Sequence, residues 1–365
     1  MGALPLELIE LIVDELRSDY HDLRSCSLVC KSLVSRSSKH LFRSFRVPNP
    51  YYNHAALLHF CDSVLSSERM STSIEVLDVT VDPSTLAKVA LLLEHLPALQ
   101  SLTVSATVLD RRAYPPATPS VKRHVEHLRI RAVPMDIVAY FLGGFASAGS
   151  LDIHRCTGKA GPVPHTYRVK RLAILGWDGP ALREVSRLVE PSTLESILLD
   201  LPVNYPTPSA GDVNHFFHVL GAHIRELEYR MDPFFKEILL GTPALRACPL
   251  LKSFNITARR EARFDHASWR AILGPLSSLP PGVRAVRLRT NCGALREAQD
   301  ARDVLRTLDW NAVGRALQHL NTLEHLQIEA CDFNCDSIDL ARDRDVQDDI
   351  LGKLPGHLRS RIVFK

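Results

Sequence analysis

A three-position pattern of apolar residues recurs along most of the chain, beginning with Ile74, Leu77 and Val79. Each copy has apolar residues at its first, fourth and sixth positions, with mostly polar residues between them. Alternation of this kind predicts a short β-strand with one buried face. The fourth positions of the ten copies are Leu77, Leu102, Leu128, Leu151, Leu172, Ile197, Leu227, Phe254, Val286 and Leu326. A last apolar segment, Ile362 to Phe364, predicts an eleventh strand.

Segments with helical spacing of apolar residues lie between these strands. They are Thr85 to Leu96, Asp136 to Leu142, Ala181 to Val189, Val213 to Leu220, Ala267 to Leu273 and Val313 to Leu320. Successive fourth positions are 21 to 40 residues apart. The shorter spacings suit a leucine-rich repeat of about 20 to 29 residues, and the longer ones require insertions. The sequence therefore predicts an α/β fold with an irregular leucine-rich-repeat solenoid, in which a curved parallel sheet carries outer helices.

The repeats are degenerate at one diagnostic position. The ninth position of such a repeat holds Asn or Cys, whose side chain hydrogen-bonds the turn, and only Cys156, Asn291 and Cys331 fit.

The first 47 residues have a different, purely helical pattern. One helix is predicted from Leu4-Pro5 to about Leu16, a second from Asp22 as N-cap, and a third carrying Leu33, Leu41, Phe42 and Phe45. Apolar side chains occupy more than one face of the first helix, and three short helices make only a marginal core. We therefore expect an obligate partner surface built from helices.

These residues resemble the F-box, especially the fungal type. The resemblance is carried by Leu4-Pro5-x-Glu7-Leu8-Ile9-x-x-Ile12, by Asp22-Leu23-x-x-Cys26-Ser27-Leu28-Val29-Cys30-Lys31, and by His40-Leu41-Phe42. Leu33 stands where many F-boxes carry Trp. The resemblance implies docking on the Skp adaptor of a ubiquitin ligase, through residues at or beside the interface: Leu4, Pro5, Leu8, Ile9, Ile12, Leu23, Leu28, Val29 and Cys30. The alternative is an ordinary helical cap on the repeats.

The segment Pro48-Asn49-Pro50 separates this module from the repeats, because each proline removes a backbone donor and interrupts a helix. An amphipathic helix with Leu57, Cys61 and Val64 follows and is expected to cap the repeats. The predicted organisation is therefore an F-box over residues 1–47, a linker and capping helix over 48–73, and leucine-rich repeats over 74–365.

Composition and charge favour a protein partner. The formal net charge is +3 and the basic residues are scattered, so we expect neither nucleic acid nor a membrane surface as partner. No apolar run reaches 18 residues, and no basic segment precedes the first helix, which predicts neither a membrane span nor secretion. Eight dispersed cysteines favour reduced thiols in the cytoplasm or nucleus.

Signatures of catalysis or metal binding are weak. The sequence has no nucleophile elbow, P-loop, dinucleotide fingerprint or zinc-protease helix. The pairs His124 with His127 and His215 with His218 lack a third ligand of matching spacing. A calcium-like loop starts at Asp332, but Ser337 replaces its glycine and Asp343 its glutamate. We therefore expect no cofactor, no metal and no catalytic residues.

The repeats also predict which side chains face a target. With the fourth and sixth positions buried, the fifth and seventh point to the opposite face of the sheet. Arg129 with Arg131, and Arg287 with Arg289, place paired guanidinium groups there, suited to forked recognition of carboxylate or phosphate. The predicted target-binding residues are Arg129, Arg131, His154, Arg230, Arg287 and Arg289. Alternatively, these arginines only solvate an exposed strand.

The resemblance implies a substrate-recognition subunit of an SCF-type ubiquitin ligase. Its partners would be the Skp adaptor, a cullin reached through that adaptor, and a protein target held by the repeats. One rival is a repeat scaffold whose F-box does not lead to ubiquitination. Another is an enzyme hidden in the late insertions.

Overall fold

The computed structural model divides the chain into two compact units. The first contains residues 1–151 with 160–164, and the second contains residues 152–159 with 165–365. The residues whose structure is described are 5–47, 50–82, 84–106, 123–160, 166–176, 178–200, 209–231, 242–258, 266–291, 305–306, 308–331, 337–338 and 340–365.

Helices and strands alternate along most of the described chain. The helices are α1 (Leu6–Glu15), α2 (Tyr20–Val29), α3 (Lys31–Leu41), α4 (Pro50–Leu65), α5 (Glu68–Ser73), α6 (Leu86–Glu94), α7 (Met135–Gly144), α8 (Gly179–Leu188), α9 (Ala210–Leu220), α10 (Thr242–Arg246), α11 (His266–Ser277), α12 (Trp310–Leu317), α13 (Arg344–Lys353) and α14 (Gly356–Arg359). The strands are β1 (Ser44–Arg46), β2 (Val76–Val81), β3 (Ser101–Ala106), β4 (His124–Arg131), β5 (Ser147–His154), β6 (Arg168–Leu175), β7 (Ser196–Asp200), β8 (Glu226–Met231), β9 (Ser253–Ala258), β10 (Ala285–Asn291), β11 (His325–Cys331), β12 (Ser337–Ile338) and β13 (Ile362–Phe364).

The first unit joins the N-terminal helices to the beginning of a parallel sheet. Strands β1 to β4 pair in chain order, with Leu77 opposite Leu102 and Leu102 opposite Leu128. These leucines are at most 1% exposed. Helix α4 packs against α6 and buries Leu57 and Cys61 completely, so the predicted helix after the prolines does cover apolar surface of the first unit.

The second unit has the same kind of arrangement in β6 to β11. Its strands are parallel and follow chain order, and their fourth-position residues stand opposite one another: Leu172, Ile197, Leu227, Phe254, Val286 and Leu326. Beyond β11, β13 pairs with it in parallel and β12 pairs antiparallel at its end. All ten predicted strands and the Ile362 to Phe364 strand are confirmed.

Short polar residues begin several helices, since their side chains accept from backbone N–H groups left free in the first turn. Asp178 accepts from the N–H of Ala181 at 2.7 Å at the start of α8. Asp309 accepts from Ala312 at 2.9 Å at the start of α12. Asp343, considered above for a calcium loop, caps α13 by accepting from Val346 at 3.2 Å; residues 332–336 of that loop lie outside the described residues.

Two local predictions in the N-terminal module are wrong. Helix α2 starts at Tyr20, and its cap is Asp19, which accepts from the N–H of Asp22 at 3.0 Å. Helix α3 ends at Leu41, so Phe45 lies on β1 and not on a helix. Phe45 packs between Phe42 and Phe60, with ring centroids 6.0 Å and 5.0 Å away.

The architecture is α/β, with parallel strands and intervening helices in repeating order. This arrangement is consistent with a leucine-rich-repeat, solenoid-like fold. Within the described part of the chain, no helix has the length and hydrophobicity needed to cross a membrane.

Candidate functional site

Helix α1 leaves most of its apolar side chains in solvent. Leu8, Leu11 and Ile12 are 46%, 59% and 54% exposed, whereas Val13 is 1% exposed and is the buried residue of the helix. Helix α1 contacts α3, and that contact is too small to cover an apolar surface extending around the helix. The exposed leucines and isoleucine are available to a partner.

The end of α2 adds to this apolar exposure. Leu28 is 80% exposed and Val29 is 73% exposed, while Leu23, one to two turns earlier, is 2% exposed. Helix α2 packs on α3 and Leu23 is its buried residue, whereas its last turn leaves Leu28 and Val29 in solvent. We call Leu8, Leu11, Ile12, Leu28 and Val29 the docking residues of the module.

A carboxylate on α1 fastens it to α3. Asp14 accepts from Nε of Arg36 at 2.6 Å and from Nε2 of His40 at 2.7 Å, and its second oxygen accepts from Nη2 of Arg36. The hydrogen bonds from Arg36 and then His40 hold the pKa of Asp14 well below its usual range. The carboxylate is 26% exposed, so these bonds are partly shielded from water.

Cys30 ends α2 and precedes α3. Its thiol lies 2.9 Å from the hydroxyl of Ser32, and that hydrogen bond, followed by the backbone N–H of Leu33, lowers the pKa of the thiol. The module is also tied to α5, since Arg69 donates to the carbonyl of Val34. Polar contacts therefore hold α1 to α3 and α3 to α5, beneath the exposed apolar residues.

The residues that the resemblance assigns to the adaptor interface are not equally accessible. Those exposed are Pro5, Leu8, Ile12, Leu28, Val29 and Cys30. Ile9 is half-buried. The assignment of Leu23 to the interface is wrong, because Leu23 lies in the interior of the module and cannot touch a partner while α2 stays packed. Leu4 lies outside the described residues.

The second candidate surface is the open face of the sheet in each unit, formed by the fifth- and seventh-position side chains of its repeats. In the first unit Arg129 is exposed and stands opposite Thr103, and Arg131 is half-buried and stands opposite Ser105. Asp78 on the same face pairs with Arg46 of β1 at 3.2 Å. The first unit therefore presents a polar surface on which at least one arginine already has a carboxylate partner.

In the second unit, the protein's own carboxylates pair with the arginines that the sequence predicts to bind a target. Glu329 lies 3.7 Å from Nε of Arg287 and 3.8 Å from Nε of Arg289. Arg230 donates to Glu228 at 2.6 Å and lies 4.0 Å from Asp200. His154, at the end of β5, is half-buried. Instead of open guanidinium forks, the face presents internally balanced charge clusters.

The sequence pattern places two carboxylates on this face, but it does not predict that they are buried beside the arginines. Asp200 and Glu329 are 4% and 7% exposed. Both occupy seventh positions, where register sets Asp200 opposite Arg230 and Glu329 opposite Arg289. Aligning seventh positions of consecutive repeats would have revealed these pairs. A ligand with negative charge has to compete with these carboxylates for the arginines.

The histidines considered for metal binding make ordinary hydrogen bonds or lie exposed. His124 lies 2.8 Å from the hydroxyl of Ser147, and His127 lies 2.7 Å from that of Ser150. Among the residues described, no group of three His, Cys, Asp or Glu side chains is placed to hold a metal ion.

Comparison with known proteins gives little beyond this geometry. No family model matches the chain, and no curated protein matches it. Among solved structures, the chain is similar to the leucine-rich repeat-containing protein LegL7 from Legionella pneumophila. The two share 11% sequence identity with a TM-score of 0.40, over 86% of this chain and 90% of that one.

Proposed function

We propose that this chain is the substrate-recognition subunit of an SCF-type ubiquitin ligase. In this proposal the α1–α3 module docks on the Skp adaptor, which joins it to a cullin, and the repeats hold a protein target. The chain performs no bond chemistry and acts by raising the target's effective concentration near the ubiquitin-charged enzyme.

The observation that carries the proposal is the exposure of the five docking residues. Burying a side chain such as Leu or Ile contributes about 1.5–3 kcal/mol, so five together could supply a large share of a stable interface. Neighbouring Val13 and Leu23 are buried, so the module already has its own small core. Its exposed apolar surface therefore suits a partner, and the resemblance to the F-box suggests the adaptor.

The open face supports a role in binding a target, but part of its positive charge is already paired. Its arginines are half-buried or exposed, but Glu329 and Glu228 neutralise those of the second unit in part. A carboxylate of a target that binds there therefore has to compete with Glu329 and Glu228 for the arginines. The second candidate function is a scaffold that binds the adaptor without leading to ubiquitination.

The test replaces two docking residues, with Ile12→Asp and Leu28→Asp in one variant. Both positions are exposed, so folding is kept, while a carboxylate forced into an apolar interface costs several kcal/mol. We expect affinity purification of this variant to lose the adaptor and the cullin. The matched control is Tyr20→Asp with Leu91→Asp, at positions 68% and 44% exposed and outside the proposed interface.

Wild-type recovery of the adaptor by the Ile12→Asp, Leu28→Asp variant would refute docking through the module. Recovery of adaptor without cullin by the wild-type chain would favour the scaffold. Catalytic turnover by the isolated chain would favour an enzyme instead.

A further inference from the structure

Charged residues form one row along the edge of the second unit where its parallel strands begin. They are Lys170, Glu195, Arg225, Lys252, Arg284 and Glu324, each at the second position of its repeat and each exposed. From Glu195 onward, the backbone N–H of each member donates to the carbonyl of the member before it, as Lys252 does to Arg225 at 2.8 Å. Neighbouring strands lie about 4.8 Å apart, so these side chains start side by side.

Three consecutive members of this row are cations: Arg225, Lys252 and Arg284, which we call the basic row. Like charges this close repel one another. Arg284 is relieved by Glu324 at 3.6 Å. Within the described part of the chain, the side chains of Arg225 and Lys252 form no salt bridge or hydrogen bond, although Glu195 and Glu226 are their neighbours along the edge. Their charges are therefore available to a ligand.

A cleft of about 440 Å³ opens at the same edge, and we call it the edge cleft. Its walls come from the segments that lead into β9, β10 and β11, and include Arg246, Pro249, Leu279, Pro280, Pro281 and His319. His319 donates from Nε2 to the carbonyl of Leu279 at 2.8 Å, which joins two walls. Arg246 is exposed and has no partner among the described residues.

We propose that the basic row and the edge cleft together bind an acidic peptide segment of a partner protein. Glu and Asp side chains of an extended peptide would meet Arg225, Lys252 and Arg246, and its apolar parts would rest on the prolines. Single exposed ion pairs contribute little, so several must form together, and the row supplies them at fixed spacing. This surface is separate from the module and the open face, and the proposal does not depend on ubiquitin ligase activity.

The probe is a fluorescein-labelled peptide of six glutamates, titrated with the full chain at low salt and followed by fluorescence anisotropy. We expect the wild type to bind it, and Arg225→Glu with Lys252→Glu to weaken binding by about tenfold or more. Arg246→Glu should weaken it as well. The matched control is Lys170→Glu with Arg171→Glu, which makes the same charge change at the same edge but away from the cleft, and it should alter affinity by less than about threefold.

The proposal is overturned if the wild type does not bind the hexaglutamate peptide, or binds a hexaglutamine peptide equally well. It is also overturned if both double variants weaken binding to the same extent, because attraction would then follow net charge alone. An unchanged affinity in Arg246→Glu would remove the edge cleft from the site. Thermal melting of each variant checks that these exposed substitutions leave the fold intact.

Discussion

Asp14 joins two helices of the module through one carboxylate. Arg36 and His40 lie four residues apart on α3, so both face the same side of that helix and reach Asp14 together. Val13, the next residue toward the N-terminus, is the buried apolar residue of α1. The residue that binds α1 to α3 through its charge and the residue that α1 buries are therefore adjacent in the sequence.

We expect Asp14→Asn to lower the free energy of unfolding by about 1–2 kcal/mol at pH 7, because hydrogen bonds to charged groups are lost. The folded-state pKa of Asp14 is lowered, so its contribution is complete above the ordinary value of about 4 and is lost as pH falls below it. Denaturant unfolding of wild type and variant should therefore show a difference that is large at pH 7 and smaller at pH 3.

Glu7→Gln is the control for this prediction, since Glu7 lies on the same helix, is exposed and has no partner among the described residues. It should change stability by less than about 0.5 kcal/mol. An Asp14→Asn difference that does not vary with pH would show that the carboxylate's charge is not what holds α1.

At this scale the sequence identified the apolar residues but not which of them face inward. Ile12 and Val13 are adjacent and equally apolar, yet one is 54% exposed and the other 1%. Helical spacing leaves the choice open when apolar residues surround the helix, and packing on α3 decides it. The resemblance to the F-box places Leu23 at or beside the interface, but it does not show how α2 packs. The contact of Asp14 with residues 22 and 26 positions away is a tertiary contact that helical spacing does not reveal.

Helix α12 approaches the segment after α13 at a glycine. A Cβ built on Gly314 would overlap the ring of Pro355, whereas a Cβ on Gly352, inside α13, would meet no atom within 4 Å. Two helical glycines therefore have opposite roles. Gly314 permits a close contact, and Gly352 only adds conformational freedom to the unfolded chain.

Alanine substitution separates these roles. We expect Gly314→Ala to destabilise the second unit by about 1–3 kcal/mol, because Pro355 or α12 must shift. Gly352→Ala should stabilise it by about 0.5–1 kcal/mol through helix propensity. Thermal melting of both variants provides the measurement, and stabilisation by Gly314→Ala would contradict the close packing of α12 on Pro355.

Strands that bury two apolar positions could be predicted, as could the short apolar strand β13, whereas β1 could not. Strands β2 to β11 each bury their fourth and sixth positions, so a period of two identified them. Strand β1 is only three residues long and buries no residue completely. It forms because the edge of β2 pairs with it through residues 76–78, which lie 32 residues further along the sequence.

The order of the strands follows the order of the chain within each unit, so every strand from β6 to β10 bonds mainly to its sequence neighbours. Recurring apolar triplets such as Val169, Leu172 and Ile174 predicted this arrangement, because each can bury its apolar face only against the neighbouring repeats. The same register sets seventh-position residues of neighbouring repeats opposite one another. What it does not predict is that Asp200 and Glu329 are buried there.

We expect a chain ending at Pro202 to aggregate. Strand β7 would lose its partner β8 and expose an unpaired edge beside the apolar Ile197 and Leu199. Light scattering of the purified truncated chain should show this, with the full chain as reference. Ser196→Lys with Leu198→Lys in the truncated chain should restore solubility, since edge lysines oppose strand addition. A truncated chain that is soluble and melts cooperatively without these lysines would contradict the prediction.

The matched register of neighbouring strands also bears on how such a chain can change over generations. If the segment from β8 to the start of β9 were duplicated, the new strand could pair with a parallel strand on each side. Its copy of Leu227 would then stand in line with the buried residues of its neighbours. The sheet of the second unit can therefore gain or lose whole repeats by duplication or deletion during evolution. In the α1–α3 module, by contrast, a second copy of α1 would find Arg36 and His40 of α3 already bonded to Asp14.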